Sequence, residues 1–417
     1  MGSGPRSELR RSLGLTDAIA IGVASMVGAG VFAVWAPAAR AAGGALLLGL
    51  VLAAVVAWLN ATSSAQLAAQ YPSAGGTYLY GRERLGEWPG FLAGWSFVVG
   101  KTASVAAMAM TLAAYLAPEG WRVPVAIAAV WLMVGVNLLG VTRTAKAALV
   151  LAGLAILSLS VTLALGWSES SGPIADLVTL PSGASGWYGV LQSAGLLFFA
   201  FAGYARVATM GEEVRDPRRT IGRAIVTALL IVLVLYALVG VSLLLLVGDE
   251  ALAASTAPLA LLVGDHPVAL VALQIGAVAA VGGALLGLLS GIGRTWLAMS
   301  REGDLPRFFD HTHPRTLVPH RIELTIGAVL TVILLVADLR GAIGFSSFGV
   351  LLYYFVANVA AFTQAQPERR YARVWQVLGA VLCLMLVVTL PWQSIVGGFL
   401  VLAAGAAWRL VTVARLR

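Results

Sequence analysis

Long apolar segments recur along the whole of this 417-residue sequence, too often and too regularly to be the parts of one soluble core. About 20 consecutive apolar residues cross a hydrocarbon layer as a helix. Twelve such segments are predicted, at roughly 15–39, 44–69, 88–117, 123–140, 146–167, 187–210, 221–247, 268–300, 322–337, 342–365, 372–390 and 393–413. Hydrocarbon offers no water to the backbone, so each segment must pair its own N–H and C=O groups and is expected to be helical. The eighth is longer than a perpendicular crossing needs and is expected to tilt. The expected fold is an all-α membrane protein with twelve transmembrane helices.

Composition agrees. Hydrophobic residues make up 59% of the chain and charged residues 11%, against about 25% charged in a soluble domain. The net charge of +8 would suit a nucleic-acid partner if the charges clustered on a folded surface. They do not. Twenty-one of the 27 Lys and Arg residues fall on the side that holds the N-terminus, and only Arg40, Arg122 and Arg340 fall on the other. Lys101, Arg206 and Arg294 lie within spans. Basic residues collect on the cytoplasmic side, so both termini are expected in the cytoplasm. The partner implied by the surface is therefore the lipid bilayer of the plasma membrane, with no nucleic acid. The basic start MGSGPRSELRRSLGLTD precedes an apolar run too long for a signal-peptide core, and is read as leading into a retained first span.

Residues 22–32 read GVASMVGAGVF, with glycines at 22, 28 and 30 inside the first span. Each glycine weakens a helix interior by roughly 1 kcal/mol relative to alanine. The sixth span carries FFAFAGYARV at 198–207, with its own small pair Ala202-Gly203. If spans 1–5 and 6–10 are two repeats of opposite topology, the two interruptions correspond, and paired interruptions of this kind point to a mid-membrane binding site. Close helix packing is the competing explanation for small residues. The organisation expected is a tail at 1–14, a first repeat at 15–167, a connecting loop at 168–186, a second repeat at 187–365, and two final helices within 366–417.

A break near Gly28–Gly30 would free N–H groups that suit a carboxylate. Carbonyls left free near Ala24, Ser25, Met26, Val27 and Phe201 would suit an ammonium. One pocket could then hold both ends of an α-amino acid by backbone alone. Lys101, in GWSFVVGKTASVAAMA, is the one charge set deep within a span. A charge there costs several kcal/mol, which makes it a functional candidate. Three roles are open to it: carrying a proton or replacing a coupling cation, facing the substrate side chain, or bonding to helix-end carbonyls for structural reasons. Arg206 beyond the second interruption, with Glu212 and Glu213, could form a gating ion pair or simply extend its head group to water. Phe198, Phe199, Phe201 and Tyr204 could close over a bound side chain, or only pack. Pro217 is expected to end one helix and Thr220 to cap the next; Asp17 and Glu323 are expected as end caps.

Enzymatic chemistry finds little support. The four histidines lie in loops, no Cys/His cluster has metal-ligand spacing, and there is no phosphate loop. No cofactor and no metal are expected, and the single cysteine, Cys383, allows no internal disulfide.

Four motifs together carry a resemblance: GAGVF (28–32), YPSAGGTYLYGRERLG (71–86), FFAFAGYARVATMGEEVRDPRRTI (198–221) and RTWLAMSREGDLP (294–306). In content and order they resemble the amino acid–polyamine–organocation (APC) superfamily of permeases. The resemblance implies a LeuT-like inverted five-plus-five repeat with discontinuous helices 1 and 6. It implies secondary active transport of an amino acid by alternating access, coupled to protons or working by exchange. By the same resemblance Gly28, Ala29 and Gly30 would take the substrate carboxylate, and carbonyls near Ala24, Ser25 and Phe201 the amino group. Ala202, Gly203, Tyr204, Lys101, Phe345 and Ser346 would line the rest of the site. Many members carry a lysine well inside span 5; here that span has only Lys146, at its start, and Lys101 lies in span 3 instead. Alternatives are a permease for polyamines or other amines, one for acidic amino acids, or a sensor that binds without translocating. A sensor needs a soluble signalling module, and none is expected here.

Overall fold

The computed structural model describes residues 13–28, 30–71, 75–140, 144–169, 180–208, 210 and 213–416. The interrupted first segment forms α1 (Leu15–Met26), α2 (Gly30–Ala33) and α3 (Trp35–Ala42). Then follow α4 (Leu46–Gln70), the short α5 (Gly76–Leu85), α6 (Glu87–Leu116), α7 (Arg122–Leu138) and α8 (Thr144–Glu169). The sixth segment gives α9 (Gly183–Phe201), a 3₁₀ turn at Ala202–Tyr204 and α10 (Ala205–Ala208). The remainder is α11 (Pro217–Leu246), α12 (Asp249–Ala254), α13 (Pro267–Arg301), α14 (His320–Val336), α15 (Leu339–Phe362), α16 (Arg373–Thr389) and α17 (Trp392–Leu416).

Among the described residues, ten helical stretches are long and apolar enough to cross a membrane. The other two of the twelve expected spans correspond to α14 and α16, each 17 residues long. At about 1.5 Å per residue these are roughly 26 Å in length, slightly short of a typical hydrocarbon core. Apolar side chains such as Val51, Leu132, Val234 and Val332 are exposed on the outer faces. That is the surface expected of a bundle whose solvent is lipid.

Several local expectations are revised. Gly22 lies inside the intact α1 rather than at a break; a methyl group there would come within 2.9 Å of Ala228 Cβ on α11. Its role is close packing. Pro217 opens α11 as its first residue, where a missing N–H costs nothing, and the Thr220 hydroxyl donates to Arg215 O from within the first turn. Asp17 does act at its helix start, accepting from Gly14 N at 2.8 Å. Glu323 does not cap: it is buried and accepts from Asn137 Nδ2 on α7 at 3.2 Å.

α6 and α15 meet backbone to backbone. A methyl group at Gly349 would lie 2.7 Å from Ser96 O and 2.8 Å from Gly100 Cα. That contact sets Lys101, one residue beyond Gly100, at a fixed depth in the bundle.

At the end of the bundle that carries α5, charges are buried as a group. Arg409 on α17 pairs with Asp304, just beyond α13, and both are at most 5% exposed. Arg409 also reaches Glu87 at 3.1 Å and lies between the rings of Trp88 and Phe91, 5.0 Å from each centroid. Arg82 on α5 joins Asp304 at 3.1 Å, and the Tyr78 hydroxyl donates to it at 2.8 Å. Burial, reinforced by the adjacent Asp304 charge, pushes the Tyr78 hydroxyl above its ordinary range, so it remains a donor. Removing one partner from a buried pair leaves the other uncompensated, at about 3–5 kcal/mol. Asp304→Asn should therefore lower stability by about 3 kcal/mol, the low end because Glu87 still serves Arg409. Glu302→Gln, at a half-exposed carboxylate, should change it by less than about 1 kcal/mol. Thermal unfolding in detergent reads both, and equal effects would mean that the cluster does not hold α17 in place.

Candidate functional site

α1 ends at Met26 and helix resumes at Gly30, while α9 ends at Phe201. The two interruptions face each other across the bundle. A methyl group on Gly203 would lie 2.0 Å from Ser25 O and 2.4 Å from Ser25 C; one on Gly30 would lie 2.6 Å from Ala200 Cα. Only glycine permits either approach. Beyond Gly30 the backbone bonds Val34 N→Gly30 O and Ala38 N→Val34 O carry the helix through a bend into α3.

Where the helices part, specific side chains take over the freed carbonyls. The Tyr236 hydroxyl on α11 is 2.7 Å from Met26 O and 3.0 Å from Ala200 O, sharing its proton between the two interruptions. Lys101 Nζ donates to Ala202 O at 3.2 Å. Ser25 bonds back to Ile21 O at 2.8 Å, inside its own helix. Ser104 on α6 and Ser346 on α15 join hydroxyl to hydroxyl at 2.6 Å.

Between them lies a cavity of about 20 Å³, room for about one water molecule. Ser25, Met26, Gly28 and Gly30 wall it from the first span, and Phe199, Ala200 and Gly203 from the sixth. Lys101, Ser104 and Met108 close it from α6, and Leu288 from α13. An amino acid fits only if these elements move apart.

The structure thus brings together seven of the sequence-predicted site residues: Ser25, Met26, Gly28, Gly30, Phe199, Gly203 and Lys101. Ala202 contributes its carbonyl, and Ser346 contributes through Ser104. Ala24 and Val27 are in the same turn of chain but do not line the cavity. Phe201 is fully buried with its ring 5.0 Å from that of Tyr236. The carbonyls engaged at the second interruption are those on either side of it, at Ala200 and Ala202. Tyr204 stacks on Tyr354 at 5.1 Å, away from the cavity. Phe345 lies over Gly397 of α17 and does not face the site. Phe198 packs edge-on against Tyr354. Arg206 pairs with Glu213 at 3.4 Å, both partly exposed, outside the cavity. The adjoining chain is pinned by Leu13 N→Glu213 O and Arg215 N→Leu13 O. Ala29 and Glu212 lie outside the described residues.

Tyr236, Ser104, Met108 and Leu288 escaped the sequence reading. Tyr236 had a signal, being the one polar side chain in the run LLIVLVLYALVG. Removing its hydroxyl takes a hydrogen bond from two buried carbonyls, which costs about 1–3 kcal/mol. Tyr236→Phe should lower thermal stability by that amount and weaken ligand binding. Gly203→Ala should act through overpacking, by about 1–3 kcal/mol, by forcing the two interruptions apart. Unchanged melting of both variants would remove this junction from the site.

Comparison with known proteins gives the family. The family described as amino acid permease, within the APC superfamily, matches residues 13–410. An uncharacterised transporter of Mycobacterium tuberculosis is 51% identical over 96% of this chain and 91% of its own length. A chloroplastic cationic amino acid transporter of Arabidopsis thaliana is 28% identical over 93% of this chain and 71% of its own. A human cationic amino acid transporter is 30% identical over 87% and 61% respectively. The chain belongs to the amino acid permease family, as a multi-pass membrane protein.

Proposed function

We propose that this chain is a secondary active transporter that moves an amino acid across the plasma membrane by alternating access. The observation that carries the reading is the pair of facing helix interruptions, with backbone and Lys101 around a shared cavity. In this reading all twelve apolar segments span, α14 and α16 included. The first ten form an inverted five-plus-five repeat and both termini are cytoplasmic. The N–H groups around Gly28, Ala29 and Gly30 receive the substrate carboxylate. Carbonyls at the two interruptions receive its ammonium, and α6 and α15 supply the side-chain end. Uptake is driven by a proton gradient or by exchange for a second amino acid.

Relatives named cationic amino acid transporters put lysine and arginine forward as substrates here too. The Lys101 ammonium in the cavity weighs against that extension, because like charges in a low dielectric repel strongly.

Purified protein in liposomes, with labelled amino acids and with or without an inward proton gradient or internal amino acid, tests the reading. Saturable uptake of at least one amino acid is expected; none under any condition would refute it. Gly28→Leu should reduce uptake to background, since even a methyl group there would lie 2.7 Å from Ala284 Cβ. Near-normal uptake by a folded Gly28→Leu protein would take the first span out of the site.

A further inference from the structure

Lys101 is a buried cation that binding through the backbone does not require. Its side chain is 5% exposed, and Ala202 O is the acceptor it bonds. Among the described residues no carboxylate lies within ion-pair distance of it. An ammonium has three N–H donors, so two remain for a ligand in the cavity.

Several acceptors around that cavity already take a bond. Met26 O and Ala200 O share the Tyr236 proton. Ser104 Oγ is bonded to Gly100 O at 3.2 Å and to Ser346 Oγ at 2.6 Å. The charge that the site offers is therefore positive, with ammonium donors to spare. A second cation brought in on a side chain would meet a like charge and, among the described residues, no counter-charge. A second anion would find both a donor and a counter-charge.

Building on the transport reading above, we propose that the substrate carries a carboxylate on its side chain, as aspartate and glutamate do, and that Lys101 receives it. Lys101 leaves Ala202 O on binding, and that carbonyl becomes available to the substrate's α-ammonium. The α-carboxylate lies at Gly28 and Gly30. Met108 and Leu288 offer apolar walls for the one or two methylenes between the two carboxylates. The balance of charge supports the assignment. A monoamino dicarboxylate has net charge −1, and with Lys101 the loaded site is neutral as it changes its side of access. A neutral amino acid would leave the site at +1 and a cationic one at +2, each penalised in the membrane interior.

Competition for uptake in liposomes tests this directly. Wild type should take up labelled glutamate or aspartate in preference to leucine and alanine, with arginine and lysine the weakest competitors. Loss of a charge-assisted hydrogen bond predicts that Lys101→Met weakens glutamate competition by about tenfold or more, with a smaller effect on leucine. Lys101→Arg should retain the preference for acids. Wild type that prefers neutral or cationic amino acids overturns the proposal while leaving amino acid transport standing, and so does an unchanged ranking in Lys101→Met. Absence of all uptake overturns both. Ligand-induced thermal stabilisation of wild type gives a second reading that needs no variant. Glutamate should raise the unfolding temperature more than equimolar leucine or arginine, and the reverse order refutes the assignment.

Discussion

A peptide carbonyl or N–H without a partner in hydrocarbon costs several kcal/mol, yet this chain interrupts two helices at the same place in the bundle. The interruptions persist because other groups take over the lost hydrogen bonds. Tyr236 shares one proton between carbonyls of both interrupted segments. Lys101 takes the carbonyl of Ala202. Glycine at 30 and 203 brings the two backbones so close that no lipid or loose water intervenes. The close contact of α6 with α15 then decides where Lys101 and Ser104 can stand. The site is the consequence of this pairing problem and its local solution.

Buried charge is handled in two different ways at two depths. At the α5 end, Arg409, Asp304 and Arg82 satisfy one another, with Tyr78, Glu87 and two aromatic rings completing the set. A mutually paired group of this kind joins helices distant in sequence, and its attractions offset the cost of burying the charges. Lys101 has a single carbonyl. Had the bundle only needed a polar link between α6 and the 3₁₀ turn at Ala202–Tyr204, a neutral donor would have made it without burying a charge. The asymmetry between the two sites is the physical ground for separating architecture from ligand chemistry.

The helical class, the membrane setting and the position of both interruptions were legible from sequence, because each depends on local composition. Span length follows from apolar run length, and GAGVF and AFAGY combine small residues where a helix is most costly to break. Lys101 was legible for the same reason, as a charge within an apolar run. What was not legible depends on which face of a helix meets which neighbour. Gly22 and Gly28 look alike in sequence, but one lies in α1 against α11 and the other at the break, and only the packing separates them. Phe345 and Ser346 are adjacent, yet successive helical residues point about 100° apart; one faces Gly397 and the other meets Ser104. Asp304 and Arg409 are 105 residues apart, and nothing in either segment announces the other.

The small cavity gives the last step. With about 20 Å³ free, an amino acid could enter only if the elements around the cavity moved apart, and the side-chain hydrogen bonds there are individually modest. A hydrogen bond contributes about 1 kcal/mol net, so the Tyr236 and Lys101 bonds can be exchanged for bonds to a ligand without unfolding either helix. A ligand can shift a conformational equilibrium only by its difference in affinity for the two states. Ala202 O is where that difference can arise, because it cannot serve Lys101 and a substrate ammonium equally well at once. Under the proposed assignment, Lys101 turning from the carbonyl to a substrate carboxylate would exchange the bond of α6 to the sixth span for a bond to the cargo. In that reading, occupancy of the site would be communicated to α6 and the sixth span through this one carbonyl.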